Sequence, residues 1–432
     1  MSLSSTLDYN RQKQKVTSSS QERIIYSSTN GGSFNPDKVT EIVIPGNMDK
    51  TFLDFHSSYL RFDVTNNDPV TDPVAPLKIG VTGGAYNLIQ KIEFLSGSGQ
   101  TLSTIENYNL LINMLSDMQL GNQYRREAGN VLAGMNVGSS TTALTTTDIA
   151  QAGGTKTFCL PLKATPFYNS NKYFPLFSRD QIRMRIHWAS TTRAFVSPAA
   201  TASEVVYSPV EFVAQTIRIE NDEVFKALVD SVGGVFRIVT NDYRNASTSV
   251  DNASTTITSN LGFSNISLNR VLFGFYPDLT TEAADSNAGR DFHNLKQFNM
   301  AINGRSMPAR KIQCSSTNVA EPYAELLNAM NALGDITHQG SLNVVKSYSS
   351  SDTANDQDNT LSSFIGAVNL ESMREHGAAD SIYSGVNTIG SVVQLELEQS
   401  AAGQQANLEV FGDFSVVYNL DMNGMNTWDM IN

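Results

Sequence analysis

With only two cysteines in 432 residues, Cys159 and Cys314, no disulfide framework can hold this chain, and each is expected to be a small buried hydrophobe in its own half. Histidine is almost as scarce. His56, His187, His293, His338 and His376 show no His-x-x-His or His-Glu-x-x-His spacing, so the usual sequence sign of a zinc site is missing. There is no Gly-x-x-x-x-Gly-Lys-Ser/Thr loop to cradle a phosphate and no Gly-x-Ser-x-Gly elbow to present a serine nucleophile. No apolar run is long enough to span a bilayer, and the N-terminal stretch is polar rather than charged and then apolar. The chain is therefore expected to be made, and to stay, on the cytosolic side of any secretory pathway.

Positive charge is also in short supply. The 30 Lys and Arg face 42 Asp and Glu, and the net charge of −12 argues against a surface that wraps nucleic acid. One stretch departs from this balance: Arg11, Lys13, Lys15 and Arg23 outnumber Asp8 and Glu22 in a segment poor in large apolar residues. Residues 1–34 are accordingly expected to form a flexible N-terminal arm that binds by ordering on contact.

What the chain does have is apolar residues, at 40%, and a length past the point at which one core keeps growing. It also repeats itself. Asn87-Leu88-Ile89-Gln90-Lys91-Ile92-Glu93-Phe94 leads through a Gly-rich turn to a helix-like stretch from Ile105 to Met118. Roughly 207 positions later, Asn294-Leu295-Lys296-Gln297-Phe298-Asn299-Met300 leads through Ile302-Asn303-Gly304-Arg305 to a second such stretch, Pro322 to Leu333. Phe158-Cys159-Leu160-Pro161-Leu162 and Phe364-Ile365-Gly366-Ala367-Val368 keep nearly the same offset. A period this long marks a duplicated domain rather than a solenoid.

Alternating apolar and polar residues mark strands from Val39 to Ile44, Tyr59 to Val64, Leu88 to Leu95, Thr157 to Leu162, Ile182 to Trp188 and Val210 to Ile219. The second half offers Val235 to Thr240, Val271 to Tyr276, Phe298 to Ile302, Val392 to Leu397 and Leu408 to Tyr418. In Ile182-Arg183-Met184-Arg185-Ile186-His187-Trp188 the two-residue period turns Ile182, Met184, Ile186 and Trp188 to the core and the Arg and His side chains outward. Helix is expected only in the two stretches named, and an all-β pair of sandwiches follows. Gly121 to Thr155, Ala189 to Val205, Thr240 to Asn260, Pro277 to Arg290 and Val345 to Thr360 read as long polar connections.

Asp352, Asp356 and Asp358 crowd one loop without the bidentate Glu of a calcium site, and a solvated acidic loop is the expectation. The sequons at Asn245, Asn252 and Asn265 are expected to be coincidental in a chain with no signal peptide. Trp428, in the Met-rich end, is the expected interface residue.

The order of five stretches resembles the double jelly-roll major capsid proteins of tailless icosahedral double-stranded DNA viruses, above all the polinton-like and virophage-like groups. They are Ser58-Tyr59-Leu60-Arg61-Phe62; Ala85 to Leu115 with Ile105-Glu106-Asn107-Tyr108-Asn109; Leu160-Pro161-Leu162 with Lys172-Tyr173-Phe174-Pro175-Leu176; Arg270-Val271-Leu272-Phe273-Gly274-Phe275-Tyr276; and Asn369-Leu370-Glu371 with Ser384-Gly385-Val386-Asn387-Thr388.

The resemblance implies two tandem eight-stranded antiparallel jelly rolls, each with a short inserted helix, over residues 35–222 and 223–432 after the arm. It implies a major capsid protein whose homotrimers form pseudo-hexameric capsomers of an icosahedral virion shell. Its partners would be further copies, penton and minor capsid proteins and, through Arg11, Lys13, Lys15 and Arg23 of the arm, an inner membrane surface. Assembly would take place in host cytoplasm or nucleus, with no catalytic site, cofactor, metal or sequence-specific nucleic-acid binding. A carbohydrate-binding β-sandwich surface protein is the alternative; a β-sandwich glycosidase would need a carboxylate pair that nothing singles out.

Overall fold

The computed structural model describes residues 18–67, 77–136, 146–150, 154–177, 180–195, 204–277, 290, 292–315, 317–334, 364–372, 384–401, 405–421 and 428–431. The first half supplies strands β1 (Ser19–Ser27), β2 (Val39–Ile44), β3 (Thr51–Asn66), β4 (Ile89–Ser96), β5 (Thr101–Ile105), β6 (Thr155–Leu160), β7 (Ile182–Trp188) and β8 (Val205–Ile219). The second supplies β9 (Val235–Val250), β10 (Thr256–Leu261), β11 (Leu268–Pro277), β12 (Leu295–Ile302), β13 (Arg305–Gln313), β14 (Gly366–Asn369), β15 (Val393–Gln399) and β16 (Ala406–Asp421).

Their pairing shows the duplication directly. The first half forms sheets in the order β1-β8-β3-β6 and β2-β7-β4-β5; the second forms β9-β16-β11-β14 and β10-β15-β12-β13. Adding eight to each label of the first pair gives the second pair. All ladders are antiparallel, and each half is a jelly roll of two facing sheets. Helix α1 (Tyr108–Gln119) follows β5, helix α3 (Ala320–Ala329) follows β13, and α2 (Asp222–Ser231) joins the rolls.

Alternation builds each core. In β7, Ile182, Met184, Ile186 and Trp188 are buried while Arg183, Arg185 and His187 are partly exposed. Trp188 stacks on Tyr207 at 4.3 Å, meets Phe62 edge-on at 5.0 Å, and donates Nε1–H to Thr40 Oγ1 at 2.8 Å. On the outer face Arg185 Nε donates to Glu41 at 2.8 Å, and His187 bonds Glu93 at 3.1 Å. In the second core Phe273 packs on Phe298 at 5.0 Å. Gly366 makes this possible, since a Cβ there would lie 2.1 Å from the Phe273 ring. Asn303 and Gly304, with φ of 51° and 76°, form the tight turn that returns β12 into β13.

Several local expectations change. Residues 19–27 are not arm but strand, paired with β8 from Ser19↔Ile219 to Ser27↔Glu211. The stretch from Thr240 to Asn260 holds the end of β9 and most of β10, because its Ser and Thr residues tolerate strand geometry on a half-exposed sheet. Residues after Gly121 begin with short helices, Asn122–Arg126 and Ala128–Ala133. Helix α1 starts at Tyr108, three residues later than expected, because Ile105 still pairs in β5 and Asn107 takes a left-handed φ of 49°.

Candidate assembly surfaces

The best-defined contact surface is the one the two rolls make with each other. Its first part is aromatic. Phe177 of the first roll meets Phe225 of α2 at 5.0 Å and Phe236 of β9 at 5.2 Å, and Phe167 stacks on Tyr418 of β16 at 5.4 Å.

The second part is polar, with Ser103, Thr240, Asp242 and Glu409 buried and Asn107 and Asn245 half-buried. Tyr418 donates its hydroxyl to the Leu102 carbonyl at 2.9 Å, Thr240 to that of Pro166 at 2.6 Å, and Ser103 to the Asp242 carboxyl at 2.9 Å. Asn107, preceding α1, donates to Glu409 at 3.1 Å, and Asn245 and Ser247 donate to the same carboxyl at 2.9 and 2.8 Å. Asp117 near the end of α1 receives Arg125 of its own roll at 2.8 Å and Arg290 of the other roll. Arg290 Nε also donates to the Phe364 carbonyl at 2.9 Å.

Burial sets the electrostatics of this contact. It pushes the Asp242 carboxyl up to about 7 against the pull of the Tyr243 N–H, Ser103 and Arg244. Glu409 is raised for the same reason, with Asn245, Ser247 and Asn107 opposing. For Arg290 burial acts downward, and Asp117 and Tyr276 together outweigh it, so the guanidinium stays charged. A buried charge needs such a partner, because desolvation alone would cost several kcal/mol by order of magnitude.

The same elements are covered in one roll and open in the other. Every residue of α1 from Tyr108 to Met118 is buried, whereas α3 buries only Pro322, Leu326 and Ala329. Strand β13 exposes Arg305, Ser306, Pro308, Ala309 and Arg310, where its counterpart β5 exposes Thr101 alone. Strand β9 buries Ile238, Thr240, Asp242, Tyr243 and Val250, while its counterpart β1 buries none of its residues.

Of the arm residues, Arg11, Lys13 and Lys15 lie outside the described residues. Arg23 lies on β1 with Nη2 3.3 Å from the Tyr59 hydroxyl. His56 stacks on Tyr168 at 4.8 Å and the buried His293 on Phe275 at 4.8 Å; His338, His376, Asp352, Asp356 and Asp358 lie outside the described residues. Among the described residues no group of three or more His, Cys, Asp or Glu could hold a metal ion, and no helix is long and apolar enough to cross a membrane. Cys159 and Cys314 are free thiols, both raised by burial. Of the three sequon asparagines, Asn265 is fully buried, Asn245 donates to Glu409 and Asn252 is exposed. Trp428 opens a short strand, Trp428–Ile431, paired with β16.

The polar contact residues were not singled out by sequence reasoning. The available signal is in β16, where Leu408-Glu409-Val410-Phe411-Gly412-Asp413-Phe414 sets two acids in an apolar run too continuous for a strand with one wet face.

No family model and no curated protein matches this sequence. Solved structures do. VP54 of PBCV-1, fitted into a reconstruction of the virophage Sputnik, aligns with a TM-score of 0.64 at 11% identity over 97% of this chain and 98% of its own. The Faustovirus major capsid protein aligns at 0.63 and 8% identity over 95% and 92%. A chain of the Sputnik virophage aligns at 0.58 and 10% identity over 100% and 92%. The fold is the double jelly roll of viral major capsid proteins. A double jelly roll aligned from end to end at about a tenth identity keeps strand order and core shape while nearly every side chain has changed. Such a likeness is one of architecture.

Proposed function

We propose that this chain is a major capsid protein whose homotrimers form pseudo-hexameric capsomers in an icosahedral virion shell. The observation that carries the reading is the joining of two rolls of one topology through a buried contact within a chain that aligns along its whole length with capsid proteins. Two similar rolls per chain let a three-fold assembly present six similar edges, which is what a hexagonal lattice requires. The role is structural and needs no catalytic group. The location would be the virion, with neighbouring capsomers, penton and minor capsid proteins as partners, and the N-terminal residues Arg11, Lys13 and Lys15 directed at an inner surface.

Sedimentation of the purified chain tests the trimer. A species at three times 47.1 kDa supports it; a chain that stays monomeric as concentration rises refutes it.

A further inference from the structure

The contact between the rolls holds the buried carboxyls of Asp117, Asp242 and Glu409, and it treats them differently. Asp117 is paired with Arg125 and Arg290. Asp242 takes only neutral donors, Ser103 and the Tyr243 N–H, and Glu409 takes Asn107, Asn245 and Ser247. Among the described residues neither of these two forms an ion pair. Glu409 still has Arg193 of the first roll acting on it, held by Asn107 at 3.4 Å. Asp242 has no such help from across the contact, because β5 and the helical turn Pro166–Asn169, the first-roll elements packed on β9, contain no charged residue. From its own roll it faces Tyr243 and Arg244 on β9 and Asp413 and Tyr418 on β16, while β10 carries no charge.

We propose that Asp242 makes the contact between the two rolls a pH-sensitive hinge, closed while its carboxyl is protonated and opening as it ionises, with both cores left intact. The hinge lies inside one chain and is independent of how chains assemble. In the closed contact an ionised Asp242 is a desolvated charge with no cation paired to it and Asp413 nearby; opening returns it to water. Helix α2 and the aromatic group of Phe177, Phe225 and Phe236 form the pivot, since an apolar contact loses nothing when a carboxyl ionises. Asp242 stands six residues (242 − 236) along β9 from Phe236, about 20 Å at strand spacing, so a small rotation at the pivot hydrates it. Each roll keeps its own core, with Trp188 on Tyr207 in the first and Phe273 on Phe298 in the second, and parting the polar contact exposes neither. The carboxyl keeps its proton up to about pH 7 in the closed contact, against an ordinary value of 3.8 in water. Opening therefore becomes easier by about tenfold per pH unit between those two values and levels off above the upper one.

Dilute hydrogen peroxide on the full-length chain reads the hinge, because a buried methionine is oxidised only when its thioether meets solvent. Met114 of α1 is buried against Gly274 of the second roll, where a Cβ would lie 2.9 Å from the Met114 Cε. Met184 and Met300 are wholly buried in the first and second cores. Between about pH 5 and 7 the oxidation rate at Met114, read by peptide mass, should rise by about tenfold per unit and then level off, while Met184 and Met300 stay slow. In Asp242→Asn the rate at Met114 should be the same at every pH, and Asp242→Ser keeps the experiment readable should the amide disturb folding. Oxidation of Met114 that ignores pH in the parent overturns the hinge, as does a pH response that survives in the variants. Equal acceleration at all three methionines also overturns it, since the chain would then be unfolding as a whole.

Discussion

The carboxyl of Asp242 lies between the rolls with Ser103 and the Tyr243 N–H as hydrogen-bond donors, Arg244 and Asp413 as charged neighbours, and Tyr418 close by. Its folded value of about 7 stands above the ordinary carboxylate value of 3.8, so the folded chain holds a proton that the unfolded chain has released. Its contribution to stability is complete below the ordinary value and is lost as pH rises through about 7. Asp242→Asn, neutral at every pH, should flatten the fall in melting temperature between pH 5 and 8; an unchanged pH profile would show that Asp242 is ionised in the folded chain. In the first core Ile186 is wholly buried, and Ile186→Ala should cost about 2 to 5 kcal/mol by denaturant titration, with a parent-like midpoint contradicting the assigned face. The two residues differ in what the sequence reveals. The place of Ile186 follows from alternation alone, whereas Asp242 looks like any polar strand residue until the other roll covers it.

Strands fall into the same two groups. β7 and β16 are legible because their apolar residues mark a buried face. β1 is not: Ser19 to Arg23 are polar in an unbroken run, and only the edge of β8 explains why they are extended. Strand β13 hides behind Pro308 and the exposed cations Arg305 and Arg310, which an edge strand can carry. Helix α2 announces itself weakly, through Asn221 capping the N–H groups of Glu223 and Val224 ahead of an acidic first turn. Since β1 begins at Ser19, removing residues 1–17 should leave melting and oligomeric state unchanged. Removing residues 1–27 strips a nine-residue ladder from β8 and should lower the melting temperature. Calorimetry of both truncations decides, and equal melting would mean that β1 adds nothing to the fold.

At the scale of the molecule, the duplication was legible because strand order and helix position repeat at a near-constant offset even where few identities survive. The contact between the rolls was not, because it is built from Ser103, Asp242 and Glu409, which only a fixed neighbour makes buried, and from the half-buried Asn107 and Asn245. That pairing leads to the central proposal, that three chains close into a ring of six like rolls. Electron-microscope class averages of the purified oligomer test it most directly. Particles with three-fold symmetry and six lobes of similar size are expected; two-fold particles, open filaments or single two-lobed chains would contradict it.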